Sequence, residues 1–210
     1  MKEMQSTNQV SEILREVDEF FMQTGPVQLT LQNIARRLSQ EAIDYAVIGG
    51  MALVLHGFVR PTQDVDLLLT VQGLEDFKRT IVGHGYVPFF AGARKHFKDT
   101  QTGVKVEIVT TGEYPGDGKP KSVAFPSPVD VAVTMDEFKV ASLESLIELK
   151  LASGLTAKHR ELRDLADVQQ LIATLDLPEE LGLQLDQSVR PEYARLWQLA
   201  QITKLEQNAE

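Results

Sequence analysis

The sequence predicts an α/β (α+β) fold: a small mixed β-sheet flanked by helices, with a helical C-terminal region. Three observations carry that prediction. Residues 45–69 alternate short apolar runs with a glycine-bounded helical segment, residues 86–109 switch to a period of two, and residues 143–205 return to helical spacing. A chain of 210 residues with 43% hydrophobic content removes roughly 70% of its unfolded surface from water on folding. It can therefore hold a core without disulfides, and it has no cysteine to make one.

The elements follow in order. Val10, Ile13, Leu14, Val17, Phe20 and Phe21 recur at helical spacing until Gly25-Pro26 stops them. A second helix over 31–40 turns Leu31, Ile34, Ala35 and Leu38 inward and Arg36, Arg37 and Gln40 outward. Residues 45–48 form a short apolar strand ending in Gly49-Gly50, and 51–56 make a brief helix closed by Gly57. A second strand spans 64–69, and Leu74, Phe77, Ile81 and Val82 mark the next helix. Strands at 95–99 and 104–109 flank the turn 100–103, which ends in glycine as hairpins favour. Residues 110–128, rich in Pro and Gly, read as a loop with one short edge strand at 122–125. Ser142 caps a helix over 143–152; further helices cover 161–175 and 191–205, the last packing Tyr193, Leu196, Trp197 and Ala200 on the domain. The expected division is 1–42 as N-terminal helices, 43–140 as the core and 141–210 as the helical region.

Thirty acidic residues against 21 basic ones leave a net charge of −9. That balance argues against broad non-specific nucleic-acid binding, which needs Lys and Arg to neutralise phosphates. A divalent cation can still bring a polyanion to an acidic protein. Arg94, Lys95, Lys98 and Lys105 form a local basic hairpin; guidance of an acidic acceptor and a solvated strand face explain it equally well. No apolar run approaches the roughly 20 residues that cross a bilayer, and residues 1–8 carry no apolar leader. The expectation is a cytoplasmic protein without a membrane partner.

The chemistry concentrates on Asp64 and Asp66. Two residues apart in a strand, both carboxylates point to one face about 6.5–7 Å apart at Cα, close enough to share cations. Val65 and Leu67 alternate with them, so the face opposite the acids is the core face. Glu107 lies in another strand between Val106 and Ile108; if the two strands are neighbours, a third carboxylate joins the pair. Asp99 and Asp130 are its rivals, though both sit where turns are expected. Gly49-Gly50, without Cβ atoms at a strand-to-helix turn, lets a phosphate approach backbone N–H groups. Arg60 and Thr62 precede the acids and are candidates for a phosphate or the acceptor, or simply loop residues. His56 reads as a helix-end residue rather than a ligand.

The run Val47-Ile48-Gly49-Gly50, thirteen residues, then Asp64-Val65-Asp66-Leu67 resembles the signature of the nucleotidyltransferase superfamily with its polymerase-β-like fold. Gly50-Met51-Ala52 with His56-Gly57, Arg60-Pro61-Thr62 and Asp64 is similar to the minimal, AbiEii-type branch associated with toxin–antitoxin and phage-defence systems. Downstream, 146–152 around Lys150, then Arg163-Asp164-Leu165-Ala166-Asp167, resembles that branch's later motif, so the likeness covers about residues 43–175. It implies that Gly49 and Gly50 cradle nucleotide phosphates, that Asp64 and Asp66 bind Mg²⁺, and that Glu107 is the third metal-binding carboxylate and general base. It further implies that Lys150 approaches the triphosphate and that Asp167 joins this cluster or orients Lys150. The implied activity is Mg²⁺-dependent transfer of an NMP from an NTP to a hydroxyl of tRNA, a protein or a small molecule such as an antibiotic, with an antitoxin as partner in the toxin case. The competing expectation is a non-catalytic nucleotide-binding or regulatory module.

Overall fold

The computed structural model describes residues 25–207. The helix expected over 10–21 lies outside them. Seven strands form one mixed sheet: β1 (Tyr45–Ile48), β2 (Asp64–Leu69), β3 (Tyr86–Pro88), β4 (His96–Asp99), β5 (Lys105–Thr110), β6 (Ala132–Met135) and β7 (Phe138–Ala141), in the order β3-β4-β5-β2-β1-β7-β6. The pairs β1–β7 and β2–β5 are parallel and the other four antiparallel. β1 lies inside the sheet, and its four residues Tyr-Ala-Val-Ile are all buried, as a strand covered on both faces requires.

Helices fill the faces. α1 (Pro26–Gln40) buries Leu31, Ile34, Ala35 and Leu38, the stripe read from the sequence. α2 (Gly49–Leu55) follows β1 directly, and α3 (Val71–Thr80) follows β2, its first turn capped by Thr70 Oγ1 accepting from Gly73 N at 2.8 Å. Phe77 of α3 meets Phe97 at a ring separation of 4.8 Å, and both are fully buried. Such burial stabilises by roughly 1.5–3 kcal/mol per side chain. After the single turn α4 (Pro128–Val131) come α5 (Leu143–Thr156), α6 (Lys158–Thr174), a 3₁₀ turn (Glu179–Gln184) and α7 (Arg190–Gln207). Ser142 caps α5 by accepting from Ser145 N at 3.3 Å. Tyr193, Leu196 and Ala200 of α7 are buried and the Trp197 indole donates to Leu177 O at 3.0 Å, so this face packs on the domain as expected. Among the described residues no helix is long and apolar enough to cross a membrane.

One expectation needs correction. The edge strand at 122–125 does not form: Pro120 and Pro126 flank it without N–H groups, and Phe125 instead exchanges one bond each with Gly112 and Glu113. Conversely, 132–141 is a hairpin rather than an unassigned stretch. Its strands have four residues each, and its turn uses Asp136 at φ 51° where Asn-Gly or Asp-Gly would have signalled it. Boundaries also move: α2 begins at Gly49 rather than Met51, and α6 at Lys158 rather than Glu161.

Candidate active site

The register between β2 and β5 assembles the acids. The two strands pair in parallel with Asp66 opposite Glu107, so Asp64, Asp66 and Glu107 share one sheet face. One carboxylate oxygen from each lies within 4.8 Å of the others. The rivals stand elsewhere. Asp99 is buried and accepts from Thr30 Oγ1 at 3.0 Å, and Asp130 is exposed on α4.

Glycine at 49 makes room for this trio. Its φ is +66°, and a Cβ placed there would sit 1.9 Å from Asp66 Oδ2. At Gly50 a Cβ would meet Thr62 Oγ1 at 2.6 Å. The pair therefore lets the start of α2 close onto β2, a demand made by the acid itself before any ligand is considered. Thr62 stands beside Asp64, its hydroxyl 3.5 Å from the carboxylate.

Charge crowding shows in the acids. Burial, with the negative charges of Asp64 and Glu107, pushes Asp66 up to about 7 against the opposing charges of Lys105 and Arg160. Glu107 goes the other way. Burial alone would raise it, but the Lys105 ammonium at 2.5 Å and the His96 imidazole at 3.5 Å outweigh that and hold it below the usual range. Three hard oxygen donors converging on one point fit a divalent cation such as Mg²⁺.

The trio opens into a cleft of about 780 Å³, lined also by Gly49, Gly50 and residues of α5, α6 and the 112–125 loop. Lys150, Arg160, Arg163 and Asp164 face it from the helices. Lys150 Nζ donates to Asp167 Oδ2 at 2.6 Å and Asp164 Oδ1 at 3.2 Å, Arg60 closes on Asp167, and Arg160 Nε donates to Asp164 Oδ2 at 3.0 Å. The result is one alternating chain, Arg60–Asp167–Lys150–Asp164–Arg160. Burial would raise Asp164, but Lys150, Ser153 and Arg160 together hold it below its ordinary value. Lys150 keeps one ammonium N–H beyond these two bonds for the cleft it lines.

The structure thus brings Asp64, Asp66, Glu107, Gly49, Gly50 and Lys150 to one cleft, and places Arg60 and Asp167 in the ion-pair chain behind it. His56 donates from Nε2 to Ala141 O at 2.8 Å, a fastening between α2 and β7. Sequence reasoning missed Arg160 as a cleft residue and Asp164 as the hub of two ion pairs. Their i,i+4 spacing on α6 was the available signal.

No family model matches the chain, and no curated protein does. Solved structures do. An antigenic nucleotidyltransferase-like protein from Paracoccidioides brasiliensis superposes with a TM-score of 0.50 at 18% identity, covering 81% of this chain and 86% of that one. A candidate nucleotidyltransferase from Thermotoga maritima gives 0.49 at 21% identity over 66% of this chain and 91% of its own. The antibiotic-resistance factor ANT(2'')-Ia gives 0.41 at 12% identity over 84% and 83%. The likeness to the first is one of fold alone: the mixed sheet with its flanking helices superposes on that protein over most of both chains.

Proposed function

We propose that the chain is a nucleotidyltransferase that moves an NMP from an NTP to an acceptor hydroxyl with Mg²⁺ as cofactor. The observation that supports this most is the convergence of Asp64, Asp66 and Glu107 at the mouth of the Gly49-Gly50 turn, inside a cleft whose far wall carries Lys150, Arg160 and Arg163. Asp64, Asp66 and Glu107 would hold the metal; when bound it supplies charge neutralisation at the transferring phosphoryl and the leaving pyrophosphate and acidifies the attacking hydroxyl.

The chain's own residues supply position and charge. Gly49 and Gly50 let phosphate oxygens reach the backbone, while the cations on α5 and α6 face the triphosphate from the other side. The acceptor oxygen forms a bond to the α-phosphorus as the bond to the pyrophosphate oxygen breaks, and the hydroxyl proton leaves to a carboxylate of the trio. A toxin role, with an antitoxin as partner, draws its support from the sequence runs at 50–64 and 146–167 alone.

Incubation with each of the four α-labelled NTPs, Mg²⁺ and pools of RNA, protein or small hydroxyl compounds tests the reading. Label should move to one acceptor with wild type and not with Asp64→Asn/Asp66→Asn. Failure to label with any nucleotide by a folded wild-type protein, or persistence of label in the double variant, overturns it.

A further inference from the structure

The sheet face that carries the trio does not end at Glu107. Pairing places His96 opposite Glu107 and Lys98 opposite Lys105, so both β4 residues share the acids' face. Val87 pairs with Lys98, and Phe89 N donates to His96 O at 2.9 Å, which carries the same face onto β3 and the residue after it. The opposite face of these strands is buried through Phe97, Val106 and Tyr86, but on the acids' side Val87 is 39% exposed and Phe89 48%. The neighbouring Phe90 is 57% exposed, its ring 6.0 Å from the His96 imidazole at a 31° tilt. Arg94 and Lys98 are exposed and enter none of the ion pairs among the described residues.

Two adjacent exposed aromatics beside exposed cations, about 10 Å or two strand spacings from Glu107, match one ligand chemistry. Aromatic faces stack bases, and separated cations track a phosphate backbone. A protein partner would account for the apolar area but not for cations that have no ion-pair partner among the described residues in a chain of net charge −9.

Resting on the nucleotidyl-transfer reading, we infer that the β3–β4 edge is the acceptor platform, and that the acceptor is an unpaired polynucleotide end. Its penultimate bases stack on Phe89 and Phe90, Lys98 and Arg94 meet its phosphates, and its terminal hydroxyl reaches the carboxylates past His96.

Fluorescence anisotropy with a 5′-labelled twelve-nucleotide single-stranded RNA, without NTP, tests this separately from turnover. Wild type should bind it more tightly than the same sequence in a duplex. Phe89→Ala/Phe90→Ala should weaken binding about 10-fold or more, and Lys98→Gln should reduce the slope of log affinity against log salt by roughly 0.7. Phe89→Ala/Phe90→Ala should keep wild-type cation binding at the trio. RNA binding indifferent to both platform variants, absence of RNA binding, or platform-dependent capture of a protein or small-molecule acceptor in its place overturns the inference. In each case the labelling experiment still decides nucleotidyl transfer.

Discussion

Two groups of acids face each other across the cleft and are handled in opposite ways. Asp164 and Asp167 on α6 are surrounded by Arg60, Lys150 and Arg160, every charge answered by one of the protein's own. Among Asp64, Asp66 and Glu107 on the sheet, Glu107 alone has ion-pair partners among the described residues, Lys105 and His96; burial and the two neighbouring acids outweigh the more distant charges of Lys105 and Arg160 and leave Asp66 at about 7. The first group is a fastener between α5, α6 and the loop before β2. The second is short of positive charge, and that shortage is what a cation-dependent site requires.

Removing charge separates the two groups most sharply. Asp66→Asn should lower transfer by roughly 10³-fold while leaving the melting temperature unchanged or raised, because it relieves like-charge crowding. Activity assays and thermal melts of the same preparation check both halves. A large loss of stability would put Asp66 with the fasteners instead.

Lys150→Met should lower stability together with transfer. It leaves Asp167 to Arg60 and Asp164 to Arg160, and the loss of its two charged hydrogen bonds should cost about 1.5–3 kcal/mol, seen as a lowered midpoint in urea. Adding Asp164→Asn and Asp167→Asn should restore much of that loss. If Lys150→Met is as stable as wild type, the ion-pair chain is not holding the helices.

A subtler disturbance acts through the backbone. Gly49→Ala puts a Cβ into a left-handed conformation, at about 1–2 kcal/mol, and into the space of Asp66 Oδ2. Transfer should fall further than stability does, since the displaced atom is a proposed metal ligand. Paired melts and initial rates show which falls more.

How much of this was legible beforehand follows from the range of each interaction. The Asp64–Asp66 pair was readable because strand alternation is local, and Glu107 because Val106 and Ile108 mark its strand's core face. That β5 lies beside β2 depends on sheet order, which local periodicity does not encode. The ion-pair chain joins Arg60 to Asp167 across 107 positions, and no spacing rule connects them. The hairpin at 132–141 escaped for a different reason: its strands are too short for alternation to register, and its turn residue is Asp136 rather than glycine. Gly49-Gly50 was readable as a tight turn, but its steric partner, Asp66, was visible only once β1 and β2 lay antiparallel with Ile48 opposite Asp66.

The contrast between the two groups also sets opposite pH dependences. Asp66 is raised from an ordinary value of 3.8 to about 7. Its contribution to stability is therefore complete below about pH 4 and lost as pH rises through 7. Asp164 is held low, so its contribution is present above the ordinary carboxylate range and lost as pH falls below it. A divalent cation at the trio competes with the Asp66 proton. Calorimetric titration of Mn²⁺ into wild type, Asp66→Asn and Asp164→Asn between pH 6 and pH 8 tests the central claim most directly. Wild type should bind, with affinity rising up to about tenfold per pH unit below 7 and levelling above it; Asp66→Asn should abolish binding, and folded Asp164→Asn should retain it. Equal binding by Asp66→Asn, or an affinity flat across that range, would contradict the assignment of the trio as the metal site.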